Sequence, residues 1–150
     1  LIPVLKRQGV RIGVIKHSHH DIELDQPGKD SHRLRMAGAT SVMLVSVHRR
    51  TVFTELDARP LSLADQIASL PTHTLDLVLV EGFRDEAFPK IELHRPSLGK
   101  PLLYPNDGHI IAIATDQTLM KPTPLPCLDL NDVEAIAGFI RERFLSATHD

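Results

Sequence analysis

Four short apolar runs constrain this chain more than any other feature. VRIGVI (Val10–Ile15), SVMLVSV (Ser41–Val47), LDLVLV (Leu75–Val80) and IIAIA (Ile110–Ala114) are apolar at nearly every position, not at every second one. A strand with one face in water alternates, whereas an unbroken run reads as a strand covered on both faces, as in a parallel sheet. Between the runs lie helix candidates: SHRLRMAGA after Asp30 as N-cap with Gly38 as its stop, Ser62–Leu70, and NDVEAIAGFIRERFL. In that last segment Asn131 or Asp132 caps a stripe of Val133, Ile136, Ile140 and Phe144. LIPVLKRQG reads as the closing turns of a helix, with Lys6 and Arg7 suited to its C-terminus and Gly9 as its stop. Pro3 is awkward there, because proline inside a helix removes a backbone hydrogen bond. Strands alternating with helices predict an α/β three-layer sandwich with a mostly parallel sheet.

Two stretches depart from that pattern. SVMLVSV-HRR-TVFTEL reads as two strands joined by a tight polar turn, so part of the sheet is expected to be antiparallel. The proline-rich stretch from Phe88 to Pro126 holds KIELHR, read as an edge strand, followed by a surface loop over Pro96–Gly108.

At 150 residues the chain is sized for a single domain. A single cysteine, Cys127, excludes an internal disulfide and a cysteine-rich zinc site and suits a reducing cytoplasm. A formal net charge of −2 and the lack of tryptophan argue against nucleic-acid binding, and no apolar run has the length of a membrane span.

Ligands of open α/β sheets bind beyond the carboxyl ends of the strands, so the residues just after each run carry the most weight. VRIGVI is succeeded by KHSHHD, LDLVLV by EGF, and IIAIA by TD. Glu81 at the end of a buried strand can hold magnesium directly or through water, and Gly82 lets the backbone approach a phosphate; alternatively Glu81 marks only the end of burial. Asp116, with two acceptor oxygens, can pair with two adjacent donors on a guanine edge, or serve as a turn residue. GKDSHRLR sets Lys29, Arg33 and Arg35 near a helix N-terminus, where anions are stabilised. His17 and His19 share a face if the strand persists, with His20 and Asp21 directly after, which leaves a metal site open. The HxHH spacing matches no standard zinc motif.

Taken in order, KHSHHD, DQPGKDSHRLRMAGA, LDLVLVEGF, PKIELHR and AIATD resemble the molybdopterin-guanine dinucleotide biosynthesis adapter (MobB) family over nearly the whole chain. The resemblance implies a P-loop NTPase-like fold, GTP and Mg2+ as ligands, weak or absent turnover, and work beside the guanylyltransferase that joins GMP to molybdopterin. It implies a nucleotide- or anion-binding set of Lys16, His17, Lys29, Asp30, Ser31, Arg35, Gly82, Thr115 and Asp116. Asp21 or Asp25, with Glu81, would position magnesium or water. A homodimer is expected through the sheet edge around SVMLVSVHRRTVFTEL. The family's GxxxxGK[ST] phosphate loop is absent from residues 1–150, and in the family it precedes the helix corresponding to LIPVLKRQG. The domain is therefore expected to be N-terminally incomplete, without its first strand and that loop. No water-positioning glutamine or arginine finger is identifiable. The competing readings are a small-molecule kinase or ligase, an interaction module without nucleotide binding, and a histidine-based metal carrier.

Overall fold

The structure, a computed structural model, describes residues 1–18, 20, 22–56 and 62–146. The chain runs α1 (Ile2–Arg7), β1 (Ile12–Lys16), α2 (Asp30–Met36), β2 (Ser41–Val45), β3 (Arg50–Thr54), α3 (Leu63–Ala68), β4 (Leu77–Glu81), β5 (Lys90–His94), β6 (Ile110–Thr115), β7 (Cys127–Asp129) and α4 (Val133–Phe144). β1 and β4 pair in parallel, Ile12 opposite Leu77 and Lys16 opposite Glu81. β5, β6 and β7 form a second parallel set in that order, and β2 and β3 form an antiparallel hairpin.

One core joins the two parallel sets. Val4 and Leu5 of α1 pack with Ala137 of α4 against Val10, Ile12, Leu77 and Leu79. Ile136 and Ile140 of α4 pack with Ala114 against Leu77, Ile91, Leu128 and Leu130. Leu1 and Leu77 belong to both groups, so α1 and α4 lie together over both sets of strands. Leu5 and Ile113 are fully buried. Each such side chain contributes roughly 1.5–3 kcal/mol relative to its exposed state.

Local chemistry accounts for the helix ends. Pro3 sits in the first turn of α1, where its missing N–H costs no intrahelical bond. Gly9 and Gly38, both at positive φ, close α1 and α2 in the same way. The amides of Gly9 and Val10 bond Lys6 O and Leu5 O, and those of Gly38 and Ala39 bond Arg35 O and Leu34 O. Ser62 and Asp65 form a reciprocal capping box on α3, and the Asp132 carboxylate caps α4 through the Ala135 amide.

Two expectations need correction, and one strand was missed. The N-cap of α2 is Lys29, not Asp30, which is its first helical residue and makes no side-chain cap bond. SVMLVSV is not covered on both faces: Met43 is 53%, Val45 73% and Val47 91% exposed. The hairpin stands apart from the parallel strands, with α2 as its main neighbour, so an apolar run here marks an open surface. Lastly, β7 was not expected, since CLD is too short and polar to stand out. KIELHR does form a strand, but it buries its polar face. Glu92 and His94 are buried, and the Glu92 carboxylate accepts the amides of Leu103 and Tyr104, which ties the 96–108 loop down. Lys90 extends this latch, donating to Arg84 O and to Asp107, whose carboxyl it holds below the usual range. A cavity of about 330 Å³ lies beside it, lined by Arg84, Asp85, Lys90, Asn106, Asp107 and His109 among others.

Candidate functional site

The carboxyl ends of the parallel strands carry the candidate residues, arranged in clusters. At the ends of β1 and β4 the register sets Lys16 opposite Glu81, and the ammonium donates to the carboxylate at 2.5 Å. The His17 amide donates to Glu81 O at 2.8 Å, and its ring stacks on Phe83 with centroids 4.5 Å apart. Gly82 comes next at φ +94, and a Cβ there would lie 2.7 Å from His17 Cβ. Phe83 is itself at φ +51, the one non-glycine residue at positive φ among the described residues. Backbone strain of this kind costs of order 1–3 kcal/mol and gathers at ligand sites.

In the second cluster Asp25, 6% exposed, accepts from Ser31 Oγ at 2.7 Å. Its other oxygen has no hydrogen-bond partner among the described residues and lies 3.5 Å from Arg35 Nη1. Arg35 also donates to Glu23 at 2.9 Å and to Glu55 at 2.6 Å, and lies over the Phe53 ring. The guanidinium, followed by the Asp25 amide, holds the Glu23 carboxyl below the usual range, and these carboxylates hold Arg35 firmly charged. Arg35 thus ties the 22–25 loop to α2 and to the residue following β3, and its charge is already matched. Lys29 and Asp30 are exposed beside it, and Lys29 makes no side-chain hydrogen bond or ion pair among the described residues. Asp21 and His19 lie outside the described residues. Among the described residues no group of three or more His, Cys, Asp or Glu side chains could hold a metal ion.

The third cluster ends β5 and β6, where His94 faces Thr115 across the register. Thr115 is buried and donates to Gln117 O at 3.0 Å. Asp116 accepts from Arg95 Nη1 through Oδ2 at 2.6 Å, while Oδ1 is buried with no partner among the described residues. Arg95 was missed in the sequence, although it succeeds KIELH as directly as Asp116 succeeds IIAIAT. Asking of KIELHR what was asked of the other runs would have found it. Phe83, Glu23 and Glu55 carried no comparable signal, because only the fold brings them to their partners.

Parallel strands under helices, with acids and bases at their carboxyl ends, define an α/β protein whose strand ends lie where open sheets take ligands. Solved structures carry the same fold. A MobB protein homolog from Bacillus stearothermophilus matches with a TM-score of 0.67 at 24% identity, over 97% of this chain and 85% of that one. Bacillus subtilis MobB matches with a TM-score of 0.66 at 22% identity, over 95% and 87%. The family described as molybdopterin guanine dinucleotide synthesis protein B matches residues 1–116. The molybdopterin-guanine dinucleotide biosynthesis adapter protein of Escherichia coli is 44% identical over 144 residues, 95% of this chain and 81% of that protein. The adapter protein of Haemophilus influenzae is 44% identical over 99% of this chain and 81% of its own length. This chain belongs to the MobB family.

Proposed function

We propose that the chain is a GTP-binding adapter that works in the cytoplasm beside the guanylyltransferase attaching GMP to molybdopterin. The observation that supports this best is the pairing of charged groups at the carboxyl ends of neighbouring parallel strands, Lys16 with Glu81 and Arg95 with Asp116. Such ends are where open α/β sheets take ligands. Homologues named for making a guanine dinucleotide point to a guanine nucleotide as the ligand.

In this reading Glu81 supplies the carboxylate for magnesium, with Asp25 or Asp21 as a further acid acting directly or through water. One or two carboxylates fit magnesium, whose remaining ligands are commonly water and phosphate oxygens. When bound, the metal would neutralise phosphate charge. Lys16 matches Glu81 when the nucleotide is absent and offers its ammonium to a phosphate when one is present. Gly82 admits close backbone approach, and Asp116 contacts the base. Lys29 is an exposed cation available to a further anion. Among the described residues no helix is long and apolar enough to cross a membrane. The exposed apolar hairpin supports a homodimer built through β2 and β3.

Calorimetric titration of the full-length protein tests the reading. GTP should bind in the presence of magnesium, Glu81→Gln should weaken the magnesium dependence, and Asp116→Ala should weaken GTP far more than ATP. An unchanged metal dependence removes Glu81 from the site. Equal losses for both nucleotides remove Asp116 from base recognition.

A further inference from the structure

The geometry at the ends of β5 and β6 points to a more specific ligand edge: we propose that Arg95 and Asp116 together read the 6-oxo and N1–H groups of a purine and leave a 2-amino group unread. The proposal rests on the assignment of Asp116 to the base and adds a second contact residue and a limit on what the site distinguishes.

The two oxygens of Asp116 differ in what can reach them. Oδ1 is shielded from solvent, so a ligand that approaches the 16% exposed side chain has Oδ2, the oxygen beside the half-exposed Arg95, left to meet. Oδ2 is the oxygen held by Arg95 Nη1 at 2.6 Å. That bond uses one of the acceptor positions on Oδ2 and one of the five N–H donors of the guanidinium. Arg95 is half-exposed and makes no other side-chain hydrogen bond among the described residues. A ligand therefore meets a carboxylate oxygen with an N–H donor next to it.

A base complementary to that surface presents a donor beside an acceptor. In a 6-oxopurine the N1–H donates to Asp116 and the 6-oxygen accepts from Arg95. Adenine also carries a donor beside an acceptor but meets this pair only when turned over; in the register of a 6-oxopurine it sets its N1 lone pair against the carboxylate and its amino group against the guanidinium, a mismatch at both positions. The second donor of guanine, its 2-amino group, would need Oδ1, which is buried away from it. The expected pairing of Asp116 with two adjacent donors thus narrows to one donor, and Arg95 supplies the second contact.

The test is titration of the full-length protein with GTP, ITP and ATP in magnesium, alongside Arg95→Ala, Arg95→Lys and Asp116→Ala. ITP lacks only the 2-amino group, so the wild-type comparison needs no variant to fold. ITP should bind within about threefold of GTP, and ATP at least about tenfold more weakly, the scale of one hydrogen bond. Arg95→Ala should weaken GTP and ITP alike by about tenfold while leaving ATP unchanged, and Arg95→Lys should recover part of that loss. ITP binding tenfold or more below GTP would overturn the proposal, because the 2-amino group would then be read. Unchanged GTP and ITP binding in Arg95→Ala would overturn it equally. Loss of the underlying assignment looks different, with Asp116→Ala leaving GTP binding intact.

Discussion

Replacing Gly82 with alanine should destabilise the protein through two separable effects. The first is conformational: at φ +94 an L-residue costs about 1–2 kcal/mol relative to glycine. The second is steric, since the new methyl group would lie 2.7 Å from His17 Cβ. That neighbour cannot swing aside like the end of a long side chain, because the His17 amide is bonded to Glu81 O and its ring is stacked on Phe83. Overpacking of this kind costs roughly 1–3 kcal/mol. The sum is roughly 2–5 kcal/mol, a large part of the stability of a small domain. Gly9 provides the control. It sits at φ +84, and a Cβ added there would meet nothing within 4 Å, so Gly9→Ala carries the conformational cost alone. Urea unfolding followed by circular dichroism measures both, the chain having no tryptophan to report fluorescence. Gly82→Ala should lose about 1–3 kcal/mol more than Gly9→Ala. Losses equal within about 0.5 kcal/mol would refute the close approach of the two strand ends.

Other contacts lead to further expected outcomes. Arg11 donates to Asp76 through its side chain and its amide and lowers the Asp76 carboxyl to about 2. A lowered carboxyl stabilises the fold above its unfolded value near 3.8 and loses that contribution as pH falls toward 2, so Asp76→Asn should flatten the acid limb of a stability–pH curve between those values. Ser62→Ala removes the capping box of α3 and should cost about 1 kcal/mol in the same unfolding assay, with Ser62→Asn, which keeps an acceptor for the Asp65 amide, nearly neutral. Charge placed on the hairpin, as in Val45→Glu with Val47→Glu, should shift sedimentation toward monomer while circular dichroism shows an unchanged fold. A dimer that persists would locate the interface elsewhere.

Much of the fold was legible because parallel strands leave a nearly unbroken apolar signature. β1, β4 and β6 each start within such a run and end one residue beyond it, although Val14 of β1 is exposed and not covered as expected. The same signature misled at SVMLVSV, where apolar residues face outward and periodicity does not tell a core from an interface. β5 was legible as a strand but not as one with buried Glu92, because its carboxylate is satisfied by amides of a loop about ten residues further on. Strand ends were legible as ends, since EGF and TD stand directly after their runs. What escaped was who faces whom: the pairing of Lys16 with Glu81, and of Arg95 with Asp116, depends on strand order and register. Arg35 looked like a free cation by its spacing on α2, whereas Glu23 and Glu55 reach it only in the folded chain.

The most direct test of the account is a crystal structure of the full-length protein with a non-hydrolysable GTP analogue and magnesium. The account predicts the guanine edge within hydrogen-bonding distance of Asp116 and Arg95, and magnesium held near Glu81 directly or through water. A base seated away from Asp116, or a metal with no carboxylate of this set within its first hydration shell, would contradict it.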